Sequence, residues 1–356
     1  ECDRLDRGDD VRTTEDVFRD QTMPQSLRTE LDLAILSRPV AAQRNVPPGN
    51  GYTGLANPPE LSIASAFGSC ETVSRIKKLV RNQHYPRGTQ RSVIWEERCA
   101  PLARAATEVS ILDPYLFAKY AGQGDRGIAH VKWLLNRLNE TLQESVPVTI
   151  YAKDAPPKTS LAAWLEGSPF NKRRPGMLSV YLAPWTEVEL TSLGDDGQPL
   201  KGGKPHNRHI RFSTWSALTT EEGFDRLKQS TVPGEDGMSL HRVIIHPSSA
   251  DSATHIHNLR AKEQAIIETS LWSWLSWSIA YDLAGGHGHN PPSYTNHAGA
   301  ISLVAPTRDG YTFAGWLGTD LHEPTINVSI PAGSTGRRTY TATWEVCPHP
   351  LPAYSA

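Results

Sequence analysis

The sequence contains no apolar run approaching the roughly 20 residues that a membrane-spanning helix needs. Its most apolar late stretch, 266–283, is interrupted by Glu268, Ser270, Ser273, Ser276, Ser278 and Asp282. Nor is there an excess of one charge: 36 Lys and Arg face 38 Asp and Glu. That balance excludes a chain that coats nucleic acid over its whole surface and leaves room only for a local basic patch. Cysteine is scarce. Cys2, Cys70, Cys99 and Cys347 are scattered without a CxxC pair, against both a disulfide framework and a zinc site. Buried or incidental thiols are the expectation. P-loop and GxSxG patterns are missing, which argues against NTPase and nucleophile-elbow chemistry. The chain starts at Glu1 and not at Met, as a fragment or processed product would, so a missing signal peptide carries no information.

With 356 residues there is length for two or three domains. Residues 1–91 read as an irregular or helical region. Leu27, Leu31, Leu33, Ala34 and Leu36 suggest a helix over 26–37, and Val73, Ile76, Leu79 and Val80 another over 71–82. Between them lies a Pro- and Gly-rich linker, 39–59. Residues 92–260 alternate helix and strand, the pattern of a layered α/β domain with a mostly parallel sheet. A helix is predicted over 92–106, then a strand over 108–112 closed by Asp113-Pro114. Val131, Leu134, Leu135, Leu138 and Leu142 mark a strong helix over 130–144. Strands follow at 146–152, within 178–190 with a break at Pro184, at 208–212 and at 242–246, with a short helix around 161–166. Residues 278–345 change texture to short β runs between Gly, Pro, Ser and Thr. Five strands are predicted, at 279–283, 299–304, 311–316, 325–330 and 338–344, with a tight turn at Asp309-Gly310. The fold class expected is multidomain: an α/β layered domain, then an independent small β-rich module. Trp272, Trp274 and Trp277 fall between the two and are expected to pack their joint.

The last region carries an ordered set of features. It opens with Ile279 to Leu283 and Gly285-Gly286. It continues with Pro306-Thr307-Arg308-Asp309-Gly310-Tyr311-Thr312-Phe313-Ala314-Gly315-Trp316 and closes with Tyr340-Thr341-Ala342-Thr343-Trp344. In this it resembles one copy of the Listeria–Bacteroides repeat. The resemblance implies a β-grasp-like fold, a spacer or adhesion role, a cell-surface or secreted location in bacteria, and a cell-surface or protein partner. Independently of the family, a module this small needs large side chains in its core, and Tyr311, Phe313, Trp316, Tyr340 and Trp344 are the candidates. The competing role for these aromatics is an exposed ligand platform. Trp316 is expected to end its strand with its N–H on a carbonyl. His287 and His289 suit a solvated loop and no metal site.

In the middle region, Val109-Ser110-Ile111-Leu112-Asp113-Pro114-Tyr115-Leu116, the strand Val148 to Tyr151, His206-Asn207-Arg208-His209-Ile210-Arg211-Phe212 and Gly223-Phe224-Asp225 together resemble the phospholipase D-like superfamily, above all its single-motif, non-catalytic members. The active family uses His-x-Lys-x4-Asp twice, with one histidine attacking phosphorus and the other protonating the leaving oxygen. The resemblance casts His206 as the nucleophile and Arg208 as a phosphate fork. Arg211, Lys204 and Lys201 would add phosphate contacts, and Lys172, Arg173 and Arg174 further positive charge if they converge. Ser213, however, stands where the aspartate belongs, and no second motif occurs. A homodimer could supply a second histidine by symmetry but no aspartate.

The reading favoured is a non-catalytic binding protein whose ligand contains phosphate, either nucleic acid or anionic lipid. The alternatives are a phosphodiesterase or nuclease working through His206, and a purely structural surface protein. The single-motif relatives are mainly intracellular, which makes a cytoplasmic location the alternative. No cofactor and no metal is expected. His255-x-His257 has strand-like spacing but no third ligand, so a surface loop is expected there. Asp195-Asp196-Gly197 reads as a turn.

Overall fold

The computed structural model describes residues 33–36, 60–63, 74, 83–154, 157–184, 208–213, 216–244 and 250–347. The chain divides into two compact units, one of residues 1–105 with 231–242, the other of residues 106–230 with 243–356.

In the first unit, β1 (Leu33–Leu36) pairs in parallel with β2 (Glu60–Ile63). The helix expected over 26–37 is therefore a strand at its C-terminal end: Leu-Ala-Ile-Leu is a continuous apolar run, which periodicity alone assigns poorly. Of the helix expected over 71–82 only Ser74, which is helical, is among the described residues, and the linker lies outside them. β3 (His84–Tyr85) pairs antiparallel with β9 (Met238–Ser239). The helix predicted at 92–106 is present but irregular, α-helical over Arg91–Ile94 and Ala100–Arg104 with a π-helical turn, Trp95–Cys99, between. Cys99 is buried there, and burial pushes its thiol up to about 12, so it behaves as a small apolar side chain.

The second unit is built on a mixed sheet. β4 (Val109–Leu112), β5 (Val148–Lys153) and β6 (Leu178–Ala183) are parallel. β7 (Arg208–Phe212) lies antiparallel to β4, and β8 (Ser216–Thr220) antiparallel to β7. The short β10 (His241–Ile244) lies beyond β8. The expected mostly parallel sheet is thus parallel over β4, β5 and β6 only in this region, because β7 runs antiparallel to both β4 and β8. Every residue of β4 and β7 is buried, as in strands covered on both faces.

Helix Ala129–Thr141 buries His130, Val131, Leu134, Leu135, Leu138 and Asn139, the face its periodicity marked. Its C-terminal carbonyls are capped by Arg174, which donates to Asn139 O at 3.1 Å and to Leu142 O and Gln143 O. Helices Lys158–Gly167 and Pro169–Arg173 follow, the second capped by the Ser168 hydroxyl. A 20-residue helix, Ala250–Thr269, was not foreseen. It carries His255 and His257, so the strand-like loop expected there is corrected: on a helix, residues i and i+2 face different ways. Ile256 and Leu259 pack on Ala217, while Ile266 packs with Leu112, Tyr151 and Ala183.

The remaining strands belong to the C-terminal region. They are β11 (Trp272–Asp282), β12 (Ser293–Thr295), β13 (Ile301–Ser302), β14 (Tyr311–Gly318), β15 (Leu321–Thr325), β16 (Ser329–Ile330) and β17 (Arg338–Val346). The expected separation from the α/β region does not hold at β11. Its first half, Trp272 to Leu275, pairs antiparallel with β6. Its second half, Ile279 to Asp282, pairs in parallel with β17. One strand therefore continues the sheet from β6 into β17, β14 and β15. Trp274 is buried at this joint, and Trp277 packs against Tyr294.

In the terminal core, Trp316, Tyr340, Ile279, Tyr294 and Ile330 are buried, with Phe313, Tyr281 and Trp344 packed against them. Strict alternation would put Phe313 and Trp316 on opposite faces. The register instead runs Phe313 opposite Trp344 and Trp316 opposite Ala342, with a bulge at Ala314. The extra residue turns both rings to one face, where they meet edge-on at 5.4 Å. Gly315, at φ 139°, sits where a Cβ would lie 2.6 Å from Thr325 N. Trp316 does not end its strand, and its Nε1 finds no acceptor among the described residues, whereas Trp344 Nε1 donates to Leu283 O at 3.1 Å. Arg308 spans Ala284 O and the face of Tyr311, closing the turn before β14.

Candidate functional site

The end of β4 sets the site. Asp113 follows the strand, and its Oδ1 accepts the Tyr115 backbone N–H at 2.9 Å, an Asx-turn that Pro114 favours. The same Oδ1 takes Arg208 Nε at 3.2 Å, and Oδ2 takes the Phe224 N–H at 3.0 Å. Burial pushes the Asp113 carboxyl up, and the Arg208 charge and the two backbone donors oppose that. Arg208, at the start of β7, also donates through Nη1 to Glu221 O. Its remaining nitrogen, Nη2, has no acceptor among the described residues.

These groups line a cavity of about 280 Å³ with Tyr115, Ala118, Lys119, Gly127, His130, Gly223 and Asp225. Lys119 and Asp225 form an exposed ion pair at 3.4 Å. Such a pair is worth about 0–1 kcal/mol, so the Lys119 ammonium can turn to another anion at little cost. His130 is buried, and its Nε2 donates to Leu116 O at 3.0 Å. Burial lowers its pKa to about 4, against the pull of the nearby Asp225. The ring is therefore neutral, and Nδ1 is an acceptor that has no partner among the described residues. Tyr115 is 48% exposed, with one ring face covered by the Arg208 guanidinium 5.6 Å from its centroid.

A second cluster of charge lies inside the unit. Glu263, on the buried stripe of helix Ala250–Thr269, meets two side chains of β7. His209 Nε2 donates to its Oε1 at 2.9 Å. Arg211 donates through Nε to the same oxygen at 2.9 Å and through Nη2 to Oε2 at 2.6 Å. Arg211 also reaches Ser110 Oγ at 2.8 Å, Ser213 O at 2.7 Å and Glu108. Those contacts engage all five guanidinium N–H groups. Burial pushes the Glu263 carboxyl up, but the hydrogen bonds from His209 and Arg211 prevail and hold it down at about 2. Burial keeps His209 on the neutral side despite Glu263.

The residues singled out from the sequence therefore part company. His206, Lys201 and Lys204 lie outside the described residues, as does Asp195-Asp196-Gly197. Arg208 lines the cavity. Arg211, expected on phosphate, has no donor left for it and serves as the counter-ion of Glu263. Arg174 caps a helix and does not join a basic cluster. Ser213 is buried at φ 64° and accepts the Thr107 N–H at 2.8 Å. Lys119, His130, Tyr115 and Asp225 as a group escaped the sequence reading. Only Asp113-Pro114-Tyr115 and Gly223-Phe224-Asp225 signalled them, as motif fragments more than 100 positions apart. Among the described residues no group of three His, Cys, Asp or Glu side chains is placed to hold a metal ion. No described helix is long and apolar enough to cross a membrane.

No protein-family model matches the chain, and no curated protein does. Among solved structures, NucT from Helicobacter pylori aligns over 51% of this chain and 91% of its own, at 14% identity and a TM-score of 0.28. TrmBL2, an archaeal chromatin protein whose structure shows a novel mode of DNA binding, aligns over 58% of this chain at 10% identity and a TM-score of 0.25. That alignment spans 62% of TrmBL2, under two thirds of its length. Superpositions this loose carry no argument about function.

Proposed function

We propose that the chain is a non-catalytic binding protein whose α/β region holds a phosphate-bearing ligand, nucleic acid or anionic lipid, at the Arg208 cavity. The observation that carries this reading is the state of Arg208. Its Nε and Nη1 are anchored on Asp113 and Glu221 O, which fixes the plane of the guanidinium and leaves Nη2 without an acceptor among the described residues, in a residue that lines the same cavity as Lys119. A pre-oriented guanidinium edge loses little entropy on binding an anion. The basic stretch of Lys201, Lys204 and His206 runs directly into Arg208 in sequence and would extend the anion contacts. In the same proposal the C-terminal strands are a β-grasp-like repeat of the Listeria–Bacteroides type, joined to a bacterial surface or secreted protein, with its aromatics used for packing.

Against turnover stands Ser213, which occupies the acidic position of a His-x-Lys-x4-Asp motif and is committed to Thr107. A paired assay tests the reading: hydrolysis of a generic phosphodiester, with His206→Ala as control, beside equilibrium binding of a single-stranded oligonucleotide and of anionic vesicles at two salt concentrations. The expected outcome is no turnover, with salt-sensitive binding weakened several-fold by Lys119→Glu. Turnover that disappears in His206→Ala would replace this reading with a phosphodiesterase. Absence of both turnover and binding would leave a structural role.

A further inference from the structure

We infer that the cavity beside β4 is a pocket for a single ribonucleotide unit, with Tyr115 as the platform for the base. This rests on the phosphate-binding reading above and names its ligand. Three features of the same cavity make separate demands. An anion is asked for by Lys119, whose exposed pairing with Asp225 is weak, and by the unspent edge of Arg208. A hydrogen-bond donor is asked for by His130. Its side chain lines the cavity and its Nε2–H is fixed on Leu116 O, so the buried Nδ1 is an acceptor without a partner among the described residues. Leaving it unpaired costs free energy that an incoming O–H would recover.

A flat π face is asked for by Tyr115. A large aromatic ring left nearly half exposed is unusual beside an otherwise polar cavity, and this one is held in place by the cation beneath it. The guanidinium covers one face, and the ring's exposure leaves room for a ligand to stack. Phosphate alone answers only the first demand, and a simple polyol phosphate answers two. A nucleotide answers all three: base on Tyr115, phosphate at Lys119 and Arg208, and a ribose hydroxyl towards His130. The volume, about 280 Å³, accommodates the sugar and phosphate, with the base on the rim. Gly223 keeps one wall low, since a Cβ there would come 2.5 Å from Asp225 Oδ1.

Calorimetric titration of the full chain with inorganic phosphate, AMP and the dideoxy analogue of AMP tests this, on the parent and on Tyr115→Ala and Tyr115→Phe. Tyr115 is exposed on its rim, so both variants should fold, which circular dichroism checks. AMP is expected to bind at least about tenfold tighter than phosphate. Tyr115→Ala should erase that advantage while leaving phosphate affinity in place, and Tyr115→Phe should keep it. The dideoxy analogue should bind several-fold more weakly than AMP. If AMP and phosphate bind alike and Tyr115→Ala changes neither, the nucleotide assignment is overturned while the anion site stands. If neither ligand binds, the anion site falls with it.

Discussion

At the scale of the residue, the most consequential pairing is Arg211 with Glu263, two charges placed by β7 and by a helix some 50 positions later. Removing one partner of a buried, hydrogen-bonded pair leaves the other charge uncompensated, a loss of about 3–5 kcal/mol. Arg211→Met should therefore destabilise the second unit by that order in urea unfolding. Replacing both members, Arg211→Met with Glu263→Leu, should cost much less; a double variant as weak as the single one would mean that the pair is not the cause. Histidine sets a second residue-scale expectation. The pKa of His130 falls from 6.5 to about 4 on folding, so the unfolded chain binds the proton first as pH drops. Stability is full above pH 6.5 and declines as pH falls towards about 4, by on the order of 3 kcal/mol. Glu263, also depressed, extends the loss in the same direction towards pH 2. Denaturation midpoints measured at pH 7, 5.5 and 4 should show the fall, and His130→Gln, which can still donate to Leu116 O, should flatten it. None of this was legible in the sequence, where Arg211 looked like one more basic residue near His206. A side chain's partners are set by register and by packing across the sheet, and neither is local.

At the scale of the element, the bulge in β14 decides the terminal core. The aromatics were legible as core residues, but plain alternation would have aimed Phe313 and Trp316 apart. Inserting one alanine between Gly315 and Trp316 should undo what the bulge does, turn Trp316 to the face opposite Phe313 and drive it out of the core. The expected result is loss of ordered structure over 278–345, seen as collapse of the tryptophan near-ultraviolet signal; a variant with native-like spectrum would show that the bulge is incidental. Trp316→Ala should cost about 3–5 kcal/mol. Because β11 pairs with both β6 and β17, that cost should be shared. The melting transition of the α/β region should shift with that of the terminal strands, and an unmoved upper transition would mean that the two melt independently. Helix Ala250–Thr269 teaches the complementary lesson. Its apolar stripe of Ile256, Leu259 and Ile266 is interrupted at the inward position by Glu263, so the periodicity that identified Ala129–Thr141 failed there.

At the scale of the molecule, the second unit is a sheet that does not stop where the sequence texture changes. The shift from helix–strand alternation to short strands marks a real change of architecture, yet the connecting strand hydrogen-bonds on both sides of it. A chain ended after Ser270 should therefore expose the β6 edge, where Val180 and Leu182 are buried and paired through Trp274 and Trp272. An open apolar edge is a template for association. Light scattering should find the truncated chain self-associated at concentrations where the full chain is monodisperse, and a well-behaved monomer would restore the case for two separable domains.

Local pattern by itself determined much of this protein: the strands at 109–112, 148–153 and 208–212, the helix at 129–141, the turn at Asp309-Gly310 and the aromatic core of the last region. Each of these follows from hydrophobic period, turn chemistry or side-chain size, which are properties of neighbouring residues. Only the tertiary structure decided which Arg faces a cavity and which faces Glu263, that Tyr115, Lys119 and His130 share a cavity with Arg208 and Asp225, and that β11 carries one sheet from β6 on into β17. The physical reason is the same in each case. A charge or an edge strand is stable only with its partner, and here the partner lies between about 50 and 110 positions away, brought close by a sheet whose strand order the local signal does not encode.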